Sequence, residues 1–368
     1  MEPTVQDGLE GVVVARTALS HVDGERGQLV VAGDNLEDVA GKETFAGLAA
    51  RLWSRAGLAC TAAQVETALA QGRQTAFERL QRDACRARDG MDALRGAVSR
   101  LELDDTVPPL AQAGLVCGAT AVHLAAWLAV GQGRAPQRPN PHNTHAQDVL
   151  AMVRGSGEIP PAHTAALETY LVTVMDHGLN ASTFAARVVA STGSDLVSAV
   201  VAALGALKGP LHGGAPGPVL DMLDAIGEPQ AAQAWLVAQV EGGQRIMGMG
   251  HRIYRVRDPR AAVLERCVED LRANGATSAR LDLARAVERV AVEVLAQRYP
   301  ARSLAANVEF YTAVLLDALG VDRRAFAPMF AVGRVAGWCA HVMEQRATGR
   351  LIRPSSVYAS ALPPPPPA

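Results

Sequence analysis

Hydrophobic and polar positions follow a helical period through most of the chain. Apolar residues recur at three- and four-residue steps, a spacing typical of amphipathic helices with one buried face. The first such group is Phe45, Leu48, Ala49 and Leu52. Further helical patterns run to about residue 103 and return at residues 110–131, 146–153 and 161–175. These patterns predict a mostly α fold.

The later helical patterns differ in apolarity and predict two domains. The longest apolar run, residues 183–207, predicts one helix buried on most sides in the larger domain. The patterns at 217–225, 230–241, 258–273 and 279–298 are shorter and richer in charge, and an apolar helix follows at 328–347. We predict a large domain of residues 1–215 and 321–360, a small domain inserted at 216–320, and a disordered proline tail at 361–368.

Near its start the chain has short β-prone runs instead. VVVA and QLVVAG flank the segment HVDGERG, whose Asp23-Gly24 pair is a strong turn signal. We therefore predict a small β-hairpin between Val12 and Val31. Residues 131–145 are rich in Gly, Pro and Asn and are predicted to form a loop.

Composition narrows the class of protein. The 368 residues carry 35 Lys and Arg against 37 Asp and Glu, so a globally basic nucleic-acid-binding protein is excluded. The five cysteines are widely spaced and predict neither a disulfide framework nor a zinc ribbon. The N-terminus has no signal-peptide pattern, and no run of about 18 apolar residues lacks charge, Gly or Pro. We expect a cytoplasmic protein without a membrane partner.

Four polar clusters flanked by glycine interrupt the helical pattern, at residues 175–183, 207–215, 245–260 and 305–311. Each contains one group able to move a proton. These groups are His177, His212, His251 and Glu309. Any one of them alone is more often a hydrogen-bonded core histidine or a surface carboxylate. Their repetition beside glycines, which permit close approach of a ligand, makes them candidate site residues.

Three arginines add a second feature. Arg334 stands inside the apolar helix FAVGRVAGW, where a guanidinium is costly unless it meets an anion. Arg260 follows Asp-Pro and Arg353 follows the last helix, and either one alone is equally consistent with a surface charge. Since the planar fork of arginine suits carboxylates, arginines near histidines predict a small di- or tricarboxylate ligand.

Six segments together carry a family likeness. They are GLEGVVVARTALSHVDGERGQLVVAG, MDHGLNASTFAARVVAST, LKGPLHGGA, IMGMGHRIYRVRDPRA, NVEFYTAVLLDALG and FAVGRVAGWCAHVMEQRATGRLIRP. In this order the sequence resembles the citrate synthases of the shorter bacterial type, from Gly8 to Tyr358. The resemblance is weakest over residues 57–145, where we find helical character and no motif.

The resemblance implies a helical homodimer with the active site in the cleft between two domains. It implies that His212 stabilises the acetyl-CoA enol, His251 acts on the oxaloacetate carbonyl and Glu309 is the base. It assigns oxaloacetate binding to His177, Asn180, Arg260, Arg334 and, from the second subunit, Arg353. It assigns CoA binding to Ile246, Met247, Gly248, Met249, Gly250 and Arg255. No metal and no cofactor are implied, since acetyl-CoA is a substrate.

One position departs from the family pattern. The family has Asn-Val-Asp at the base, and this chain has Asn307-Val308-Glu309. The extra methylene leaves the chemistry of the base unchanged, but a misplacement on the order of 1 Å can lower a rate about a hundredfold. The alternatives are a 2-methylcitrate synthase that uses propionyl-CoA and a weakly active or non-catalytic citrate-synthase-like protein. A metal hydrolase built on the three histidines and Glu309 is disfavoured, because no two of these residues have i, i+4 ligand spacing, no HExxH motif is present, and arginines repel a cation.

Overall fold

The computed structural model describes residues 5–9, 11–81, 85–103, 106–156, 158–212, 216–251, 253–275, 279–302 and 304–358. Fifteen α-helices occupy most of this described part. In chain order they are α1 Leu36–Val39, α2 Phe45–Arg55, α3 Ala62–Glu78, α4 Gly90–Val98, α5 Pro109–Gly131, α6 His145–Arg154, α7 Pro161–Val174, α8 Ala181–Ser191, α9 Leu196–Leu207, α10 Pro216–Ile226, α11 Ala232–Glu241, α12 Pro259–Ala273, α13 Ala279–Arg298, α14 Val308–Ala318 and α15 Phe326–Thr348. The mostly α prediction is confirmed.

The N-terminal strands form a three-stranded antiparallel sheet in the order β1 Ser20–Asp23, β2 Gln28–Val31 and β3 Asp34–Asn35. The predicted hairpin is present, but its first strand lies later than the VVVA run. Because the turn after Asp23 sets the register, Asp23 pairs with Gln28 and Ser20 with Val31. Val13, in the VVVA run, is 87% exposed and belongs to no strand.

The predicted single helix over residues 183–207 is wrong, because the structure divides this segment into α8 and α9. The break falls at Gly193, whose φ of +83° is the left-handed conformation that favours glycine. Asp195 then starts α9, accepting a hydrogen bond of 2.8 Å from the Ser198 backbone nitrogen. Apolar periodicity alone does not detect such a break, since both helices are buried.

Helix α5 is the centre of the core. Contrary to the expectation from composition, it is long and apolar enough to cross a membrane, but 94% of its most apolar window is buried inside the protein. Helices α3, α4, α6 and α15 pack around it. A Cβ on Gly72, Gly114 or Gly118 would overlap backbone atoms of the facing helix, so these glycines allow α3 and α5 to lie close together. Burial in the core accounts for the composition of α5.

The helices from α10 to α14 pack among themselves and against the earlier helices. Helix α10 contacts α14, α11 contacts α13, and α12 contacts both α14 and α7. The contact of α12 with α7 brings the start of α12 toward the loop that follows α7. The domain boundaries at 215/216 and 320/321 stay predictions, and the proline tail at 361–368 lies outside the described residues.

Candidate active site

The loop after α7 and the loop before α12 bring two of the candidate histidines together. The ring centroids of His177 and His251 are 5.6 Å apart and meet edge to face. Tyr254 packs against both rings, and its hydroxyl lies 3.1 Å from His177 Nε2. Burial, followed by the charges of Arg260 and Arg334, lowers the pKa of His177 well below its ordinary value. His177 is therefore neutral at pH 7.

His251 is held in one tautomer by its own loop. Its Nδ1 accepts hydrogen bonds from the backbone nitrogens of Ile253, at 3.0 Å, and Tyr254, at 3.2 Å. Because Nδ1 accepts twice, the proton of the neutral ring is on Nε2. Burial, with the nearby charge of Arg260, lowers the pKa of His251 to about 4. Nε2 is thus a neutral hydrogen-bond donor.

Arg260 stands beside that donor. Its Nη2 lies 3.4 Å from His251 Nε2, and both atoms carry hydrogen, so the pair presents two donors to one region. Asp258 holds the guanidinium through Nε at 3.0 Å and Nη2 at 2.7 Å. Burial lowers the pKa of Arg260, but Asp258 and, more weakly, Glu309 raise it above its ordinary value. An oxygen of a ligand could accept from both donors.

Arg334 supplies a second buried guanidinium. Only 1% exposed, it lies over the Phe330 ring, and its Nε donates to the Val174 carbonyl at 2.5 Å. Within the described part of the chain, its Nη2 is buried and has no hydrogen-bond partner. Burial lowers the pKa of Arg334 to about 10, although the Asp176 carboxylate opposes the shift. A buried cationic donor without a partner is the group that an anionic ligand would satisfy.

His212 approaches from the end of the segment after α9. Its Nε2 accepts from the Ser182 backbone nitrogen at 3.3 Å and lies 2.9 Å from the Ser182 hydroxyl. The proton of the neutral ring is therefore on Nδ1. Burial, with the charge of Arg334, lowers the pKa of His212 to about 4.

Asn180 has a local structural role. Its side-chain oxygen accepts from the Thr183 backbone nitrogen at 3.1 Å and from the Ser182 hydroxyl at 2.8 Å, capping the N-terminus of α8. Asn180 thereby positions Ser182, whose backbone nitrogen donates to His212. Its predicted contact with a substrate stays a prediction.

Glu309 lies in the first turn of α14. Asn307 caps this helix by accepting from the Glu309 backbone nitrogen at 3.0 Å. Asp258 Oδ2 accepts from the neighbouring Val308 nitrogen at 3.2 Å. The carboxylate that holds Arg260 thus also anchors the helix start that carries Glu309.

The predicted CoA-binding stretch, residues 246–250, runs beside the segment before α14. The Gly250 nitrogen donates to the Ala305 carbonyl at 2.7 Å, and the Asn307 nitrogen donates to the Gly248 carbonyl at 2.9 Å. Gly248, with a φ of +75°, lies so close to Phe310 that a Cβ would be 2.9 Å from its ring. Within the stretch, Ile246 is buried and Met247 is 37% exposed.

Two predicted site residues are not drawn into the histidine cluster. Arg255 is 63% exposed, with Nε 3.9 Å from Glu25 Oε1. Arg353 is exposed in the segment after α15, where the neighbouring Ile352 nitrogen donates to the Ser191 hydroxyl at 3.0 Å. The predicted contact of Arg353 with a second subunit stays a prediction.

Sequence reasoning missed a buried polar network behind the site. Asp176 accepts from the Ser20 hydroxyl at 2.5 Å and lies 3.1 Å from His341 Nε2. His341 Nδ1 faces Arg187 Nη1 at 3.0 Å, which in turn donates to Glu344 at 2.6 Å. The position of Asp176 directly before His177 was the available signal. A carboxylate beside a candidate histidine is a frequent supporting group.

Tyr254 and Asp258 were also missed. Both lie between His251 and Arg260, which the sequence analysis had singled out, so proximity along the chain was the signal for them. Their contacts with the candidate residues depend on the loop conformation, which the sequence does not show.

The electrostatics disfavour the metal hydrolase. Two guanidiniums lie among the histidines, and their charge opposes binding of a cation. Within the described ranges, His, Cys, Asp and Glu side chains form no group of three or more suited to a metal ion.

The lowered histidine pKa values predict the acid limit of activity. His212 and His251 have pKa values of about 4, below the ordinary 6.5, so both stay neutral as the pH falls from 8 to about 5.5. We expect neither histidine to lower kcat/KM over this range, and their protonation to reduce it only as the pH approaches about 4. Initial rates in buffers of constant ionic strength give the pH dependence of kcat/KM. An acid limb centred near pH 6.5 would contradict the prediction.

The fold is that of citrate synthases of known structure. The citrate synthase from Thermotoga maritima matches with a TM-score of 0.83 and 32% identity, covering 98% of each chain. A second match, at a TM-score of 0.84 and 25% identity, covers 98% of each chain. That structure is a ternary complex of carboxymethyl coenzyme A and oxaloacetate with citrate synthase from Thermoplasma acidophilum.

The sequence matches agree. The family model "Citrate synthase, C-terminal domain" matches residues 8–355. A citrate synthase from Deinococcus radiodurans is 34% identical over 97% of this chain and 96% of its own, and a 2-methylcitrate synthase from Mycobacterium tuberculosis is 36% identical over 97% and 91%. A putative citrate synthase 2 from the same species is 46% identical over 207 residues, about half of that protein. The chain belongs to the citrate synthase family.

Proposed function

We propose that this protein is a citrate synthase, which condenses acetyl-CoA with oxaloacetate and water to give citrate and CoA. The observation that carries the proposal is the buried Nη2 of Arg334, a cationic donor without a partner among the described residues, in a cluster with Arg260, His177 and His251. Such a cluster suits a small ligand with several carboxylates and a carbonyl.

The hydrogen-bond donors of Arg334, Arg260 and His251 bind oxaloacetate. Arg334 and Arg260 each bind a carboxylate of oxaloacetate, and buried charge-assisted hydrogen bonds of this kind also orient the ligand. The carbonyl oxygen then lies at His251 Nε2, the nitrogen that carries the proton because Nδ1 accepts from two backbone N–H groups. The carbonyl is thereby polarised for attack.

Formation of the enol requires a base and a donor acting together. The Glu309 carboxylate removes a proton from the methyl carbon of acetyl-CoA, while His212 Nδ1–H donates a hydrogen bond to the thioester oxygen, where negative charge develops. The Ser182 backbone nitrogen donates a hydrogen bond to His212 Nε2, so the ring proton is on Nδ1 and can be donated to the thioester oxygen. A carboxylate base alone is poorly matched to so weak an acid.

Condensation joins the two bound substrates. The enol carbon attacks the polarised carbonyl, and a carbon–carbon bond forms. The carbonyl oxygen becomes a hydroxyl by taking the Nε2 proton of His251. Water then cleaves the thioester of the resulting citryl-CoA, which releases CoA and makes the reaction irreversible in practice. The CoA moiety lies along the backbone of residues 246–250 and near Arg255. No further cofactor enters this reaction.

Two relatives of this chain, a citrate synthase and a 2-methylcitrate synthase, represent the two activities that remain open. The acyl group of the substrate distinguishes them. One methylene in a pocket changes binding by only about 1–3 kcal/mol. Release of CoA from acetyl-CoA and from propionyl-CoA, each with oxaloacetate, tests the proposal. Higher kcat/KM with acetyl-CoA supports it, and higher kcat/KM with propionyl-CoA makes the protein a 2-methylcitrate synthase. Oxaloacetate binding without CoA release from either would identify an inactive family member.

The proposal includes a homodimer in which Arg353 completes the site of the second subunit. Arg353→Ala and Glu309→Gln are each expected to be inactive alone. When the two variants are mixed and exchange subunits, one site of each mixed dimer contains both native residues, so activity should return toward about a quarter of the native value. Continued inactivity after verified exchange would show that Arg353 does not act across an interface.

A further inference from the structure

The N-terminal hairpin, residues 20–31, contacts the loops of both clustered histidines. At its base, the Ser20 hydroxyl donates to Asp176 and accepts from the Gly178 backbone nitrogen at 3.0 Å, so it brackets His177 on both sides. Val22 also lies against this loop, since a Cβ on Gly178 would be 3.4 Å from its side chain.

The tip of the hairpin lies on the other loop. The Arg255 backbone nitrogen donates to the Gly24 carbonyl at 2.9 Å. A Cβ on Gly24 would overlap the carbonyl group of Ile253, and a Cβ on Gly27 would be 2.6 Å from the Val256 side chain. An alanine at Gly24 therefore requires the backbone at Ile253 to shift, and one at Gly27 requires the Val256 side chain to move.

Residues 253–255, which lie under the hairpin tip at Gly24, also hold His251. The backbone nitrogens of Ile253 and Tyr254 donate to His251 Nδ1, and the next nitrogen, of Arg255, donates to Gly24. A displacement of this stretch by the tip would draw the two donors away from the ring. Tyr254, which contacts His177, would move with it.

We propose that the hairpin is a positioning element for His251: Ser20 at its base fixes the hairpin to the loop of His177, and Gly24 at its tip holds residues 253–255 in place so that the imidazole keeps its proton on Nε2. The inference rests on the proposed function for its catalytic consequence, because polarisation of the oxaloacetate carbonyl needs that Nε2–H. The state of the ring itself can be measured without any activity.

The charges around His251 decide the direction of the effect. Arg260 and Asp258 face the ring from the start of α12, His177 faces it from the loop after α7, and Tyr254 from its own loop. Arg260, Asp258 and His177 stay in place when Gly24 changes, whereas Tyr254 moves with its loop and the two backbone donors to Nδ1 withdraw. Because donors to Nδ1 stabilise the unprotonated nitrogen, their loss raises the pKa of His251 from about 4 and allows the other tautomer.

The experiment is histidine-selective 15N NMR of the full-length protein, with the His251 resonance assigned by His251→Gln. In the native protein we expect an Nε2–H tautomer and a pKa of about 4. In Gly24→Ala we expect the pKa to rise by about one unit or more and the tautomer to become mixed. Gly205→Ala, at a position open to solvent, is the matched control and should match the native protein. An unchanged His251 resonance in folded Gly24→Ala would overturn the proposal.

A second set of variants covers the case in which Gly24→Ala does not fold. Gly27→Ala pushes on Val256, and the double variant Gly27→Ala, Val256→Ala removes that overlap. We expect the single variant to shift the His251 resonance and the double variant to restore it. Gly133→Ala, at a similar positive φ in open space, controls for backbone strain. An equal shift in the single and double variants would overturn the proposal.

Kinetics separates this inference from the proposed function. Gly24→Ala is expected to lower kcat about tenfold and to move the acid limb of the pH profile upward, with a smaller change in the KM for acyl-CoA. At the base, Ser20→Ala should have a similar but weaker effect, which Ser20→Thr rescues by restoring the hydroxyl. If the native protein shows no CoA release while its His251 resonance still responds to Gly24→Ala, the proposed function fails and the positioning role stands.

Discussion

Replacing Glu309 with glutamine is expected to reduce the rate of CoA release at least about a hundredfold, since general bases typically contribute a factor of 10² or more. The amide is nearly the same size as the carboxylate but cannot take the proton of the acyl-CoA methyl group. The Asn307 cap and the bond from Val308 to Asp258 use backbone nitrogens, so the helix start should remain in place. Initial rates at saturating oxaloacetate and acetyl-CoA provide the measurement.

Two variants control this result. Asp317→Asn removes a carboxylate near the other end of the same helix, where it pairs with Arg280, and should leave the rate nearly unchanged. Glu309→Asp restores the residue of the family pattern, and it should retain far more activity than Glu309→Gln because the base is kept. If Glu309→Gln kept more than about a tenth of the native rate, Glu309 would not be the base.

Replacing Arg334 with methionine is expected to weaken oxaloacetate binding by about thirtyfold or more. A hydrogen bond to a charged group contributes about 1.5–3 kcal/mol, and about 2 kcal/mol corresponds to that factor. Methionine fills much of the space over Phe330 but offers no donor to a carboxylate. The KM for oxaloacetate should rise, and the increase in Tm that oxaloacetate produces in the native protein should be lost at the same concentration.

The control for this variant is Arg346→Met, an exposed arginine on the same helix whose Nη2 donates to the Ser194 carbonyl at 2.6 Å. It should bind oxaloacetate like the native protein. An oxaloacetate-dependent rise in Tm that survives Arg334→Met would argue against Arg334 as a ligand of oxaloacetate. The proposed oxaloacetate site would then depend on Arg260 and, from the second subunit, Arg353.

Local patterns in the sequence predicted most of the helices, and their failures have a common cause. Helices α5, α6 and α7 begin and end within about two residues of the predicted segments, because amphipathic periodicity and capping residues are local properties. The break between α8 and α9 was missed because the apolar positions at the end of α8 are followed after a short gap by those of α9. The first strand was misplaced because pairing with β2 depends on the turn, and not on β-propensity alone.

The sequence predicted which residues form the candidate site, but not the hydrogen bonds that they make. Arg334 stood out because a charge in an apolar helix needs a partner, and the structure places it in a buried position with an unsatisfied donor. The tautomer of His251, however, depends on two backbone nitrogens of its loop, and that of His212 on the backbone of Ser182. The role of the N-terminal hairpin beside these loops had no counterpart in the sequence.

By itself, the sequence determined the helical class, the family and the titratable and cationic residues of the site, because residue type and spacing are written directly in the chain. Only the tertiary structure decided which histidine nitrogens carry protons and that Arg334 Nη2 has no hydrogen-bond partner among the described residues. These properties arise from contacts between segments far apart in sequence, such as Ser20 with Asp176 and Arg334 with Val174. Burial then shifts the pKa values, since a charge is stabilised less in the interior than in water.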